Sequence, residues 1–179
     1  MAEWDEIEEA APEAKERSRI KREANEKKFA KRKAELDASK RPIIADLSAA
    51  GFDVDSAFDF ITWTAEGRDY SGAFPILEAH LKRHEDYLPN IKEGLLRALT
   101  IPQARGVGID AALELYEDED QMEHVRFAAI NMLSETAIPR LRERLEALLP
   151  KAENHVVEKT IRTAIATASR PLERTDYLN

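Results

Sequence analysis

His80 and His84 stand four residues apart. On a helix that spacing places two imidazoles on one face, a turn apart, where they could share a divalent metal. In the H-E-x-x-H arrangement a glutamate follows the first histidine. Here Leu81 holds that place, and Glu85 and Asp86 come only after the second histidine. No third ligand is marked, so the pair is expected to form a solvent-facing polar helix end without metal, where a histidine suits the helix dipole. His124 and His155 are isolated and read as surface or helix-start residues.

Glu117, Asp118, Glu119 and Asp120 form an unbroken acidic run. Calcium loops space their ligands and include a glycine turn, which this run lacks. With Asp110, Glu114 and Glu123 near in sequence, it reads as a patch that would steer a basic partner. Arg140, Arg142 and Arg144 alternate and cannot all share a helix face, so they form no phosphate clamp. The aromatics concentrate in Phe52, Phe58, Phe60, Trp63, Tyr70 and Phe74. Phe58 and Ile61 share a face and are expected in the core. Trp63 and Tyr70 border a glycine-containing loop and are candidate interface anchors.

The chain has no cysteine, which excludes disulfides, thiolate zinc sites and thiol catalysis. It also lacks the P-loop, G-x-G-x-x-G, G-x-S-x-G and H-E-x-x-H patterns. No enzyme activity and no cofactor are expected. The acidic start, Glu3-Trp4-Asp5, has no apolar stretch behind it, and no run of 18 apolar residues occurs. A cytoplasmic protein without membrane contact is the expectation.

These groups need elements to position them, and charge divides the chain first. Residues 1–40 carry 11 bases and 11 acids, so the net charge of −8 belongs to 41–179. Within the neutral arm, seven acids lie between Glu3 and Glu16, against Lys15 alone. Nine bases follow: Arg17, Arg19, Lys21, Arg22, Lys27, Lys28, Lys31, Arg32 and Lys33, against Glu23 and Glu26. Residues 13–38 are nearly all strong helix formers, with Glu13–Arg17 and Glu23–Lys27 as favourable i,i+4 pairs. Heptads counted from Ile7 give Ala11, Ala14, Ser18, Lys21, Asn25 and Lys28, so the apolar seam of a coiled coil fails after two turns. The nine bases are a candidate nucleic-acid contact, although Phe29 is their one aromatic and the acidic body opposes phosphate binding. Pro42 is expected to end the arm at Arg41, giving a helical arm over 1–40 and a domain over 41–179.

After Pro42 the apolar period is that of helices, with no strand alternation. Helices are expected from Pro42 to Gly51, then to about Thr64 with Asp53 or Asp55 as cap, and over about 74–84, 88–100, 108–117, 121–134, 138–149 and 153–168. The fold class is all-α. A longer period overlies this one. Ile91, Gly94, Leu95, Ala98 and Leu99 recur 34 residues later as Val125, Ala128, Ala129, Met132 and Leu133. A further 32 residues on come Val157, Thr160, Ile161, Ala164 and Ile165. Ala73-Phe74-Pro75 likewise matches Ala137-Ile138-Pro139. A helical pair of this length cannot bury its apolar face alone, but stacked copies share one core.

The stretch from Ile44-Ala45-Asp46-Leu47 and Gly51-Phe52 through Phe74-Pro75-Ile76-Leu77, Ile91 and Gly94 to Leu99 resembles bacterial HEAT-like repeat proteins. The resemblance implies an α-solenoid of stacked antiparallel helical hairpins, here with a long charged N-terminal helix. It also implies non-catalytic protein binding, in some members as immunity proteins that neutralise a toxin. The expected partner is then a protein with a basic surface, met by Trp63, Tyr70, Asp110, Glu114, Glu117, Asp118, Glu119, Asp120 and Glu123. Nucleic acid bound through residues 17–33 is the alternative.

Overall fold

The alanine-, glutamate- and lysine-rich beginning forms one helix, α1 (Ala2–Ala49), in a computed structural model that describes the backbone of residues 2–171 and the side chains of 16–171. The acids from Glu3 to Glu13, and with them the Glu13–Arg17 pair, lie outside the described side chains. The chain divides into two units, residues 1–38 and 39–179. In the first, every side chain from Glu16 to Glu35 is exposed. Its ion pairs run along the helix: Arg19 holds Glu16 at 2.7 Å and Glu23 at 3.0 Å, and Arg22 holds Glu26 at 3.0 Å. Glu23 thus goes to Arg19.

The second unit begins on the same helix, so Pro42 does not end it as expected. A proline inside a helix removes one hydrogen bond and costs about 3 kcal/mol. Two circumstances offset this. Ala38 and Pro42 are both exposed, so the carbonyl left without a donor meets water. Continuing the helix also buries Ile43 and Leu47 completely. Gly51 then terminates it as expected, at φ 90°, with the Phe52 amide donating back to the Leu47 carbonyl at 3.0 Å.

Seven further helices follow: α2 (Asp59–Ala65), α3 (Phe74–Leu81), α4 (Pro89–Ala98), α5 (Ile109–Glu117), α6 (Glu123–Thr136), α7 (Arg142–Leu148) and α8 (His155–Ala168). No strand occurs among the described residues. Neither Asp53 nor Asp55 caps α2. Asp59 inside the helix does the work instead, accepting from the amides of Asp55 at 2.7 Å and Ser56 at 3.0 Å. Asn154 caps α8, its side-chain oxygen accepting from Val156 and Val157, both at 3.0 Å.

Helices α3 and α4, α5 and α6, and α7 and α8 pack as pairs, and α6 lies against both α4 and α8. Short polar links show that these three run the same way. Lys92 reaches Gln121 and Arg126 reaches Glu153 at the N-terminal ends. The Gly106 amide reaches the Thr136 carbonyl, and Thr167 reaches that of Ser134, at the C-terminal ends. The recurring positions are the core: Ile91, Val125 and Val157 are buried, as are Leu95, Ala129 and Ile161, and Ala98, Met132 and Ala164. Gly108 enters α5 at φ 65°, where a Cβ would stand 3.0 Å from Leu81 Cδ2. Only glycine fits both the backbone and the space.

Candidate functional site

His80 and His84 do not share a helix. Helix α3 ends at Leu81, and His84 begins a separate 3₁₀ turn, His84–Asp86. His80 is not solvent-facing either; it is buried, packed between Asp46 on α1 and Tyr87 before α4. Arg83 Nη2 (3.1 Å) and the Tyr87 hydroxyl (2.6 Å) both aim donors at Nδ1. Nδ1 is therefore the bare nitrogen, and Nε2–H donates to Asp46 Oδ2 at 2.9 Å. Burial holds the His80 pKa below the ordinary 6.5, outweighing the Asp46 carboxylate, which pulls the other way. His84 is lowered too, first by burial and then by the Lys92 ammonium. The Nδ1 of His84 and the Nε2 of His124 are buried without a hydrogen-bond partner. Among the described residues no three metal-ligating side chains gather at one point. His155 is exposed at the start of α8.

The acidic candidates fall into two sets. Asp110 is held by Arg140 through both oxygens, at 2.7 and 2.6 Å, which lowers its pKa. Glu117 is held by Arg144 at 2.5 Å. These arginines, set aside as a phosphate clamp, each neutralise a carboxylate about one repeat earlier. Asp118 accepts from the Gln121 side chain at 2.7 Å and from the Asp120 amide, which keeps its carboxyl below the usual range. Glu114, Glu119, Asp120 and Glu123 remain exposed.

The aromatic candidates part company as well. Tyr70 is 3% exposed, stacked on Phe60 at 4.6 Å, with its hydroxyl donating to the Ala98 carbonyl at 2.8 Å. It belongs to the core, where an exposed loop position was expected. Trp63 is half-buried, with the Arg68 guanidinium 3.5 Å from its ring centroid. Phe58 and Ile61, expected inside, are both exposed, although the Phe58 ring lies over Gly94.

Sequence reasoning missed a concave surface of the second unit. A groove of about 450 Å³ lies where α6 and α8 begin, floored by Tyr116, Phe127, Val156 and Val157. Glu123 stands on its rim, and Arg126 crosses it to Glu153 at 2.5 Å while also donating to the Tyr116 carbonyl. Phe127 is 38% exposed, Val156 59%, and Met122, just before α6, 55%. The signal was present but faint. Phe127 and Val156 each lie beside the repeating core positions, at Ala128 and Val157, and so outside the stripe.

Comparison of the chain with protein families, curated proteins and solved structures gives no match. No helix among the described residues is long and apolar enough to cross a membrane.

Proposed function

We propose that this chain is a non-catalytic protein-binding module whose docking surface is the groove at the N-terminal ends of α6 and α8. One observation carries the reading: Phe127 and Val156 expose apolar surface together in a concavity that Glu123 also lines. Such a patch, apolar at the centre and polar at the rim, is the anatomy of an interface. The partner that fits is a protein presenting an apolar side chain flanked by lysine or arginine. Glu123 and the acidic surplus of residues 41–179 complement it, while Arg126 is already engaged by Glu153.

The three helical pairs are read as an α-solenoid of the HEAT-like kind, with α4, α6 and α8 as its inner layer of like-directed helices. The finer reading is an immunity-type protein that sequesters a toxin with a basic surface, supported by the acidic body and the sequence resemblance. Co-expression with a basic toxin encoded beside it tests this. Growth should be protected by the wild-type chain and lost with Phe127→Asp; equal protection by both would remove the groove from the function. Nucleic-acid binding through residues 17–33 is the weaker reading, because Arg19, Arg22 and Lys31 are engaged by carboxylates on their own helix.

A further inference from the structure

The groove at the starts of α6 and α8 is one end of a longer row. Among the described residues of the second unit, Leu88, Met122, Phe127 and Val156 are exposed large apolar side chains at the starts of α4, α6 and α8, with Phe58 and Ile61 by α2 as the others. Leu88 and Met122 hold the same place, each the residue before its helix, in near-identical extended backbone (φ −63°, ψ 151° and φ −62°, ψ 141°). Because α4 and α6 run the same way, the two side chains leave the row in one direction. At α8 that place falls to Asn154, and Val156, two residues on, is the exposed one. Neither Leu88 nor Met122 lines the groove, but Lys92 to Gln121, at 3.1 Å, joins the start of α4 to the residue before Met122. The Arg126–Glu153 pair makes the matching link from α6 to α8.

We infer that this row takes an extended, basic segment of a partner protein in polyproline II conformation, with an apolar side chain at every third residue. The inference rests on the groove as docking surface and extends that surface across α6 to α4. Spacing gives the first argument. Neighbouring packed helices stand roughly 8–10 Å apart. A polyproline II chain rises about 3.1 Å per residue with three residues per turn, so every third side chain returns to one face after about 9 Å. Charge gives the second. The segments 84–88, 118–122 and 151–154, which lead into the three helices, carry exposed Glu85, Asp86, Glu119, Asp120 and Glu153, against Lys151 as their one lysine or arginine. Backbone chemistry gives the third. At α4 the amides of Ile91 and Lys92 turn back to the Leu88 carbonyl, and at α6 those of Val125 and Arg126 turn back to Met122. The earlier amides of Asn90, Glu123 and His124 have no partner within their helices. A polyproline II segment has free carbonyls to offer them, whereas a helical segment has used its own.

The probe is a labelled synthetic peptide of three Leu-Pro-Lys repeats, titrated against the full chain by fluorescence anisotropy. One control peptide keeps this composition with leucine at every second residue; another is helical, with leucines seven residues apart. The phased peptide should bind more tightly than either, and several-fold more weakly as salt rises. Leu88→Ser and Met122→Ser remove apolar surface without changing charge, and each should weaken the phased peptide about tenfold. Both variants are first shown to unfold at the wild-type urea concentration. Loss of binding with Phe127→Asp but no change with Leu88→Ser and Met122→Ser would leave the groove as the docking surface and overturn the row. Sensitivity to Leu88→Ser without sensitivity to Phe127→Asp would overturn both. Equal affinity for the phased peptide and a control, or no binding of the phased peptide at all, would also overturn the inference.

Discussion

The Arg105 guanidinium donates to the Thr167 carbonyl at 2.9 Å, across 62 positions of sequence. The same side chain reaches the carbonyls of Arg170 at 2.7 Å and Pro171 at 2.9 Å, and its Nε that of Ala137 at 3.3 Å. The loop after α4 therefore satisfies carbonyls in the last turn of α8 and just beyond the ends of α6 and α8, tying the helical pairs together at their C-terminal ends. Helix ends leave carbonyls without intrahelical partners, and a planar, always-charged fork suits several at once.

Replacing Arg105 should consequently loosen the stack more than a typical surface change. Arg105→Ala is expected to lower unfolding stability by about 1–3 kcal/mol, read from urea denaturation. Arg105→Lys should recover less than half of that, since an ammonium cannot span the same carbonyls.

The buried His80 ties stability to pH. Its folded pKa lies below the 6.5 of an unhindered histidine, so between the two values the unfolded chain binds more protons than the folded one. Its contribution is present above pH 6.5 and is lost as pH falls through the folded value. His84, shifted the same way, adds to this slope. Urea midpoints between pH 7.5 and 5 should therefore fall more steeply for the wild type than for His80→Gln. Identical slopes would mean that His80 is not held neutral.

Gly108→Ala forces a side chain into left-handed backbone and against Leu81. The expected loss is about 1–3 kcal/mol, whereas Gly67→Ala, also at positive φ but with nothing near its Cβ, should lose less. Thermal unfolding of the two variants distinguishes packing from backbone strain.

The Asp110–Arg140 pair is well formed but exposed on both sides. Asp110→Asn should change stability by about 0–1 kcal/mol, and partner affinity less than a change at Phe127. An affinity loss equal to that of Phe127→Asp would return the binding surface to the acidic run.

Helix positions were legible because the core is periodic: Leu95, Ala129 and Ile161 lie on the expected stripe and are fully buried. The proline at 42 misled, since local propensity carries no information about Ile43 and Leu47 being buried further along the same helix. The surface was less legible. Which of Arg140 and Arg144 meets which acid depends on the offset between neighbouring pairs, and the offset varies. Tyr70 looked available because aromatics beside glycine loops often are; its hydroxyl, however, has the Ala98 carbonyl within reach. The groove required knowing that the starts of α6 and α8 lie side by side, a long-range fact that neither segment contains.

Affinity capture from extract of the source organism tests the central claim most directly, using the full chain beside its Phe127→Asp, Val156→Asp double variant, first shown to unfold at the same urea concentration. The account predicts a stoichiometric protein, basic where it meets the chain, recovered with the wild type and lost with the double variant. Recovery of the same partner in equal amount by both chains would contradict it.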